Sequence, residues 1–171
     1  MELFSYATSL IATVMGLLEP FGKKMKTILT LNFLGNLLVG TSYFLTSGIS
    51  GAATCYVACV QVLINYCFDA KGKKVPPVLV VIHAAIFVTL NILTFKVWYD
   101  ILALAAALLF VLSVAQSSSA HYRLLYFTNS AVWIFYDILA RAYGNLVTHI
   151  VLTIATFGSI IIRDKKSHNQ N

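Results

Sequence analysis

Polar side chains that could bind a solute recur at helical spacing inside stretches of sequence that are otherwise apolar. Residues four, seven or eight positions apart lie on one face of an α-helix. The candidate substrate-binding residues are Asn32 and Asn36, Gln61 and Asn65, Asn129, Trp133 and Tyr136, and His149. Amide side chains carry both donors and acceptors, and aromatic faces offer stacking area. The pattern therefore indicates binding of an uncharged polar solute, such as a sugar, a nucleoside or a vitamin.

Each of these side chains also fits a purely structural role. Asn and Gln side chains in apolar helices hydrogen-bond to neighbouring helices, and each such bond contributes about 0.6–2 kcal/mol. Polar groups in an apolar medium face the interior of a helix bundle or a wet cavity. Spacing alone leaves both interpretations open.

Asp137 and Arg141 form an oppositely charged pair, four residues apart, within an apolar stretch. They are interpreted as a salt bridge near the outer membrane interface, with the Arg141 side chain extending to water. A gating or proton-sensitive carboxylate at Asp137 is the alternative. Glu19 lies one helical turn before Lys23, and this spacing favours an ion pair at the cytoplasmic interface over a proton carrier.

No stretch of the sequence carries a catalytic or metal-binding motif. The HExxH and GxSxG signatures are absent, and the four histidines lie in separate segments. Cys55, Cys59 and Cys67 lie within one apolar stretch without further ligands nearby, so they are expected to be packing residues. We therefore expect no enzymatic activity, no catalytic residues, no metal and no cofactor.

Composition indicates the medium in which these residues act. Of the 171 residues, 59% are hydrophobic and 11% are charged, whereas soluble domains contain about 45–50% apolar and about 25% charged residues. This imbalance excludes a disordered chain and an ordinary soluble enzyme, and it predicts an integral membrane protein. The net charge of +6 is attributed to basic cytoplasmic loops, so no nucleic-acid partner is expected.

Charge-free runs predict seven membrane-spanning helices. They cover about residues 3–18, 27–46, 50–68, 76–95, 98–116, 122–142 and 146–162. A span needs about 20 residues, so the chain holds at most about seven spans and leaves no room for a soluble domain. The 42 uncharged residues from Thr27 to Phe68 are divided at Ser47-Gly48, where small, turn-forming residues break the helix.

The basic residues predict the orientation of these spans. With the N-terminus outside, ten of the twelve Lys and Arg residues fall in cytoplasmic segments, and only Lys96 and Arg141 fall outside. Cytoplasmic loops of membrane proteins are enriched in Lys and Arg. The sequence therefore predicts a multi-pass protein with its N-terminus outside and its C-terminus in the cytoplasm.

The first three and the last three spans share a layout of helix, basic loop, helix, tight turn and helix. A shift of 97 residues places Lys26 on Arg123 and Asn32 on Asn129. One span separates the two blocks, so both have the same orientation, which is the parallel repeat found in some transporters. The predicted domains are a triple-helix bundle at 1–70, a linker helix at 75–96, a second bundle at 98–163 and a cytoplasmic polar tail at 164–171.

Recognisable residues run from Lys23-Lys24-Met25-Lys26 through Tyr43-Phe44-Leu45-Thr46-Ser47-Gly48 and on to Gln61 and Asn65. This stretch resembles the YgjV family of bacterial inner membrane proteins, and the resemblance in length and span layout covers essentially the whole chain. It implies a location in the bacterial inner membrane. The layout is similar to that of the SWEET sugar transporters and the PnuC vitamin transporters, in which two triple-helix bundles surround a substrate path. The Pro-Gln dipeptide of the PQ-loop branch is absent, so a hinge of that kind cannot be transferred to both blocks of this chain.

These features predict an integral membrane transporter, facilitative or ion-coupled, for a small polar solute. The expected fold is an all-α membrane protein with seven transmembrane helices in a 3+1+3 parallel repeat of triple-helix bundles. Asn32, Asn36, Asn129 and Trp133 are expected to line one central cavity. The alternative function is a non-transporting seven-helix receptor or a structural subunit of a membrane complex. Expected partners are membrane lipids and the solute, and self-association into a homo-oligomer is left open.

Overall fold

The computed structural model describes residues 2–45, 49–140 and 143–164. Side chains are described at residues 8, 10–41, 44–45, 54–93, 95–136, 138–139 and 146–162. These parts of the chain form seven α-helices joined by short connections, and they contain no strand. The all-α prediction is therefore confirmed for the described chain.

Each helix coincides with one of the predicted apolar runs. The helices are α1 (Glu2–Leu18), α2 (Met25–Leu45), α3 (Ile49–Ala70), α4 (Pro77–Thr94), α5 (Asp100–Val114), α6 (Ser119–Ala140) and α7 (Tyr143–Ser159). A 3₁₀ turn at Glu19–Phe21 follows α1, and a π-helical turn at Ile160–Asp164 follows α7. Within the ranges described, none of the helices is at once long enough and apolar enough to cross a membrane.

The chain divides into two compact units, unit 1 (Met1–Lys73) and unit 2 (Lys74–Asn171). In unit 1, α2 packs against both α1 and α3. Its core includes Ile28 of α2 and Val62 of α3, both fully buried. Unit 1 is thus organised around its middle helix, which carries predicted site residues.

A glycine sets the distance between α2 and α3. A Cβ atom at Gly40 would lie 2.9 Å from Cε1 of Tyr56 and 3.1 Å from Cβ of Cys55. Small residues let helix backbones approach closely. The packing of α3 against this part of α2 therefore requires a residue without a side chain at position 40.

The connection between α1 and α2 is a tight turn that buries an acidic side chain. Pro20 lies at the start of the 3₁₀ turn, where its fixed φ angle suits helical geometry. The backbone N–H of Gly22 donates to the carbonyl oxygen of Glu19 at 3.0 Å. A Cβ atom at Gly22 would lie 2.6 Å from Cγ1 of Ile28, so the turn packs directly against α2. This geometry leaves Glu19 and Pro20 buried in unit 1.

Unit 2 contains α4 to α7, each packed against the next helix along the chain. The ring of Phe87 on α4 meets that of Phe110 on α5 edge-on, with the centroids 6.4 Å apart. Val111 and Val114 of α5 and Tyr122 of α6 are fully buried. The contact between Phe87 and Phe110 joins α4 to α5, and the buried residues belong to the core of unit 2. Helices α5 and α6 carry most of the site residues of this unit.

Candidate functional site

Three of the predicted site residues meet in unit 2, between α6 and α7. The rings of Trp133 and His149 are stacked, with centroids 5.5 Å apart and an angle of 6° between the planes. Tyr136 meets Trp133 edge-on, with centroids 5.4 Å apart and an angle of 88°. The ring of Tyr99, just before α5, lies 5.8 Å from that of Tyr136. We call Tyr99, Asp100, Trp133, Tyr136 and His149 the Trp133 cluster.

Helical spacing and helix ends together position the Trp133 cluster. Trp133 and Tyr136 are three residues apart and therefore share one face of α6. Their contacts join the start of α5, the second half of α6 and the first half of α7. All five side chains are half-buried. The cluster is therefore neither sealed inside the core nor fully exposed.

Asp100 supplies the negative charge of the Trp133 cluster. Its Oδ2 accepts hydrogen bonds from the backbone N–H groups of Lys96 at 2.7 Å and Val97 at 2.9 Å. The hydroxyl of Tyr136 donates a long hydrogen bond of 3.4 Å to Oδ1. The backbone donors orient the carboxylate and offset its charge. Because Oδ1 has two lone pairs and one long bond, it retains capacity to accept a hydrogen bond from a solute.

The Trp133 cluster combines a stacking surface with a hydrogen-bond acceptor. A planar ring placed against an aromatic side chain gains about 0.5–1.5 kcal/mol beyond its burial of apolar area. A hydroxyl or N–H group on the same solute would bond to the Asp100 carboxylate, and such charge-assisted bonds are among the stronger ones. The arrangement therefore suits a solute with one flat face and hydrogen-bond donors on its rim.

Asn129, also on α6, contacts a different partner. It is 5% exposed, and its Nδ2 donates a hydrogen bond to the backbone carbonyl oxygen of Ala106 on α5. This bond joins two helices, which is the structural role that helical spacing left open. In unit 2, Asn129 therefore contributes to the packing of α5 against α6.

In unit 1, Asn36, Asn32 and Glu19 form a hydrogen-bonded chain that we call the Glu19 network. Nδ2 of Asn36 donates to Oδ1 of Asn32 at 2.9 Å, and Nδ2 of Asn32 donates to Oε1 of Glu19 at 2.8 Å. Glu19 is 2% exposed and Asn32 is 3% exposed, whereas Asn36 is half-buried. Burial raises the pKa of the Glu19 carboxyl from 4.5 to about 8, and the hydrogen bond from Asn32 partly opposes this rise.

The spacing favours an ion pair of Glu19 with Lys23 at a membrane interface, and that pair stays a prediction. Glu19 is buried, which the spacing does not predict, while Lys23 is exposed. Charged residues are rarely buried completely, so the expectation of an exposed Glu19 follows a general tendency of proteins. The signal present in the sequence was Pro20, which starts a tight turn directly after Glu19.

The remaining predicted site residues are distributed over both units. Gln61 and Asn65 are buried on one face of α3, each 1% exposed, in unit 1. The side chain of Asp137 and all of Arg141 lie outside the described residues. The structure thus brings together Asn32 with Asn36 in unit 1, and Trp133 with Tyr136 and His149 in unit 2.

Tyr99 and Asp100 belong to the Trp133 cluster although no helical spacing relates them to it. The bond between Tyr136 and Asp100 joins residues 36 positions apart, a distance over which periodicity carries no information. Among the described side chains, no group of three His, Cys, Asp or Glu residues lies close enough to hold a metal ion. The side chains of the Trp133 cluster and of the Glu19 network are carboxyl, amide, aromatic and imidazole groups.

Comparison with known proteins relates the chain to one family. The family model Imp-YgjV, described as bacterial inner membrane protein, matches residues 3–168. No curated protein and no solved structure matches the chain. The family match extends over both units and therefore includes the Trp133 cluster and the Glu19 network.

Proposed function

This chain belongs to the YgjV family of bacterial inner membrane proteins, and we propose that it is a multi-pass transporter of a small polar solute. In this proposal the solute binds at the Trp133 cluster of unit 2. The proposal places the seven helices across the inner membrane in a 3+1+3 arrangement, with the N-terminus outside and the C-terminus in the cytoplasm, although none of the described helices by itself has the length and hydropathy of a membrane span. Transport is facilitative or ion-coupled.

Exposed apolar side chains on the helices support a membrane location. On α4, Val78, Val81, Ile82 and Ile86 are all exposed. They are three, four and eight positions apart, so they form one face of the helix. Large exposed apolar patches are unusual in soluble monomers and are typical of membrane or protein contacts. In the proposal, this face of α4 contacts lipid acyl chains.

The basic connections support the proposed orientation. Lys23 and Lys24 are exposed in the connection between α1 and α2, and Lys71, Lys73 and Lys74 are exposed between α3 and α4. Two helices separate these connections, so in a multi-pass protein they lie on the same side. Enrichment in lysine favours the cytoplasmic side for both.

The Trp133 cluster is the observation that carries the proposal. The rings of Trp133 and His149 stack on each other and supply aromatic faces for a solute, and the carboxylate of Asp100 offers an acceptor in the same cluster. Sugars present an apolar face with hydroxyl donors around it, and nucleosides present a flat base beside a ribose. Both solute classes match a cluster that combines aromatic rings with a charged acceptor.

Counterflow in proteoliposomes tests the proposal. Vesicles loaded with unlabelled uridine, glucose or nicotinamide are diluted into a trace of the same labelled compound, and wild-type protein should accumulate at least one label. Trp133→Ala should lower that initial rate at least about tenfold, since each 1.4 kcal/mol of lost binding is a factor of ten. Phe135→Ala is the matched control, because Phe135 is an aromatic residue of the same helix, two positions from Trp133, and is 63% exposed.

The result for the two aromatic variants decides between the candidate functions. Equal rates for Trp133→Ala and Phe135→Ala would place the solute site elsewhere. A compound that raises the melting temperature of the wild type but not of Trp133→Ala, without any counterflow, would instead support a receptor or a structural subunit.

A further inference from the structure

Glu19 is not a member of the Trp133 cluster, and its burial is costly. Of the acidic side chains that the structure describes, it is the only one that is fully buried. An ionised carboxylate loses its hydration when it is buried, and the neutral protonated form avoids that cost. A carboxyl group in this position therefore favours the protonated form and can exchange a proton with water when the site opens.

The Glu19 network arranges three polar groups in a directed chain. Each donor points toward Glu19, because Asn36 donates to Asn32 and Asn32 donates to the Glu19 carboxyl at 2.8 Å. Asn36 also donates to the backbone carbonyl oxygen of Asn32 at 2.9 Å, which holds its side chain in place. A change in the charge of Glu19 therefore changes the strength of both bonds along α2.

Resting on the transport function proposed above, we propose that Glu19, with Asn32 and Asn36, forms a proton-binding site in unit 1 that couples solute transport to proton movement. Binding adds one proton to the carboxylate and makes the site neutral, and release returns that proton to water. The proton is thus the coupling ion, and no metal ion is required for its binding.

Several titratable groups lie on the elements around the Glu19 turn. The turn packs against α1 and α2. The titratable groups on these elements and on their connection are Glu2, Tyr6, Lys23, Lys24, Lys26 and Tyr43. The three lysines are exposed, and the side chains of Glu2, Tyr6 and Tyr43 lie outside the described residues. Burial raises the pKa of Glu19 to about 8, so its proton exchanges within the range of cellular pH.

The coupling follows from the two charge states of the site. The ionised carboxylate strengthens the bond from Asn32 and is costly to bury, so it favours states in which water reaches the turn. The protonated carboxyl favours the closed turn, in which Glu19 is buried. Proton binding therefore shifts the population between two conformations of unit 1, provided that each charge state prefers a different one.

Labelling with an apolar carbodiimide tests proton binding without any transport assay. Dicyclohexylcarbodiimide reacts with protonated carboxyl groups: the acid proton moves to a carbodiimide nitrogen while the carboxylate oxygen bonds to the central carbon. Labelling of Glu19 in wild-type protein, read by mass spectrometry, should fall with a midpoint near pH 8. Glu19→Gln should lose the labelled peptide, whereas Asp69→Asn, at a half-buried carboxyl of the same unit, should keep it.

A transport assay then tests coupling. An inward proton gradient should drive wild-type accumulation of whichever of labelled uridine, glucose or nicotinamide shows counterflow, at least about fivefold above its level at equal pH. Glu19→Gln should abolish this accumulation, and its remaining counterflow should not vary between pH 6 and pH 9. Asp69→Asn should behave as the wild type.

The two assays separate failure of this inference from failure of the proposed function. If Glu19 is not labelled at any pH, or if its labelling does not depend on pH, the proton site is overturned. This test uses wild-type protein, so it remains valid even if Glu19→Gln does not fold. Gradient-driven accumulation by Glu19→Gln equal to wild type overturns coupling. If wild-type protein moves none of the three solutes but labelling follows the expected pH profile, the proton site stands and the transport proposal fails.

Discussion

Asn32 and Asn129 are 97 positions apart and are both buried, but they bond to chemically different partners. Asn32 of α2 donates to the side-chain carboxyl of Glu19, whereas Asn129 of α6 donates to the backbone carbonyl of Ala106. The first bond joins a group that can change its charge, and the second joins one that cannot. Similar spacing in the two units therefore supports different chemistry.

The neighbours of these asparagines extend the contrast. Unit 1 contains a tight turn that buries an acidic residue, and unit 2 contains stacked aromatic rings beside a half-buried Asp100. The contrast suggests a division of roles, with proton binding in unit 1 and solute binding in unit 2. The following predictions test it, beginning with the largest effect.

The largest expected effect is a pH-dependent stability that comes from unit 1. Glu19 has a pKa of about 8 when folded and an ordinary value near 4.5 when unfolded. Between these values the folded protein keeps the proton and the unfolded chain has lost it, so the free energy of unfolding falls as pH rises. The slope reaches about 1.4 kcal/mol per pH unit and vanishes above the folded pKa. Melting curves in detergent from pH 5 to pH 9 measure it.

Two variants serve as controls for this slope. Glu19→Gln should remove most of it, and Asp69→Asn should leave it in place. A slope that survives in Glu19→Gln would assign the pH dependence to another group and would remove the main difference between the units.

A smaller difference is expected between two glycines. Gly22→Ala should destabilise the protein by about 1–3 kcal/mol, because the new Cβ would lie 2.6 Å from Cγ1 of Ile28 and would displace the Glu19 turn. A Cβ atom at Gly158 in α7 would meet no atom of the described residues within 4 Å, so Gly158→Ala should stabilise by about 0.5–1 kcal/mol. Thermal melting of both variants compares them. A neutral Gly22→Ala would mean that the turn does not pack tightly against α2.

The smallest effect is expected at Asn129. Asn129→Ala removes one hydrogen bond to a helix carbonyl that has a partner within its own helix, so the free energy of unfolding should fall by about 1 kcal/mol. Solute affinity should remain within twofold of wild type, whereas Trp133→Ala should lower affinity at least about tenfold. Thermal melting and a binding titration of both variants provide the comparison. If Asn129→Ala lowers solute affinity without changing the melting temperature, Asn129 contributes to solute binding.

Helix positions follow from local information in the sequence. Apolar residues without charges extend over each helix, and charged or turn-forming residues interrupt them. The run at 50–68 corresponds to α3 (Ile49–Ala70), and the run at 76–95 corresponds to α4 (Pro77–Thr94). Backbone hydrogen bonds of a helix join residues four apart, so its position depends on a short stretch of chain. Spacing likewise places Trp133 and Tyr136 on one face.

The sequence by itself therefore determined the all-α class, the position of each helix and the faces on which polar residues lie. The partners of those residues were decided by the tertiary structure. Glu19 and Asn32 are 13 positions apart, Asn129 and Ala106 are 23 apart, and Tyr136 and Asp100 are 36 apart. Such pairs form only when a turn returns the chain or when two helices pack, and helical periodicity contains no information about either. The burial of Glu19 depends in the same way on how its turn packs against α2, because a carboxyl group loses water only when other elements cover it.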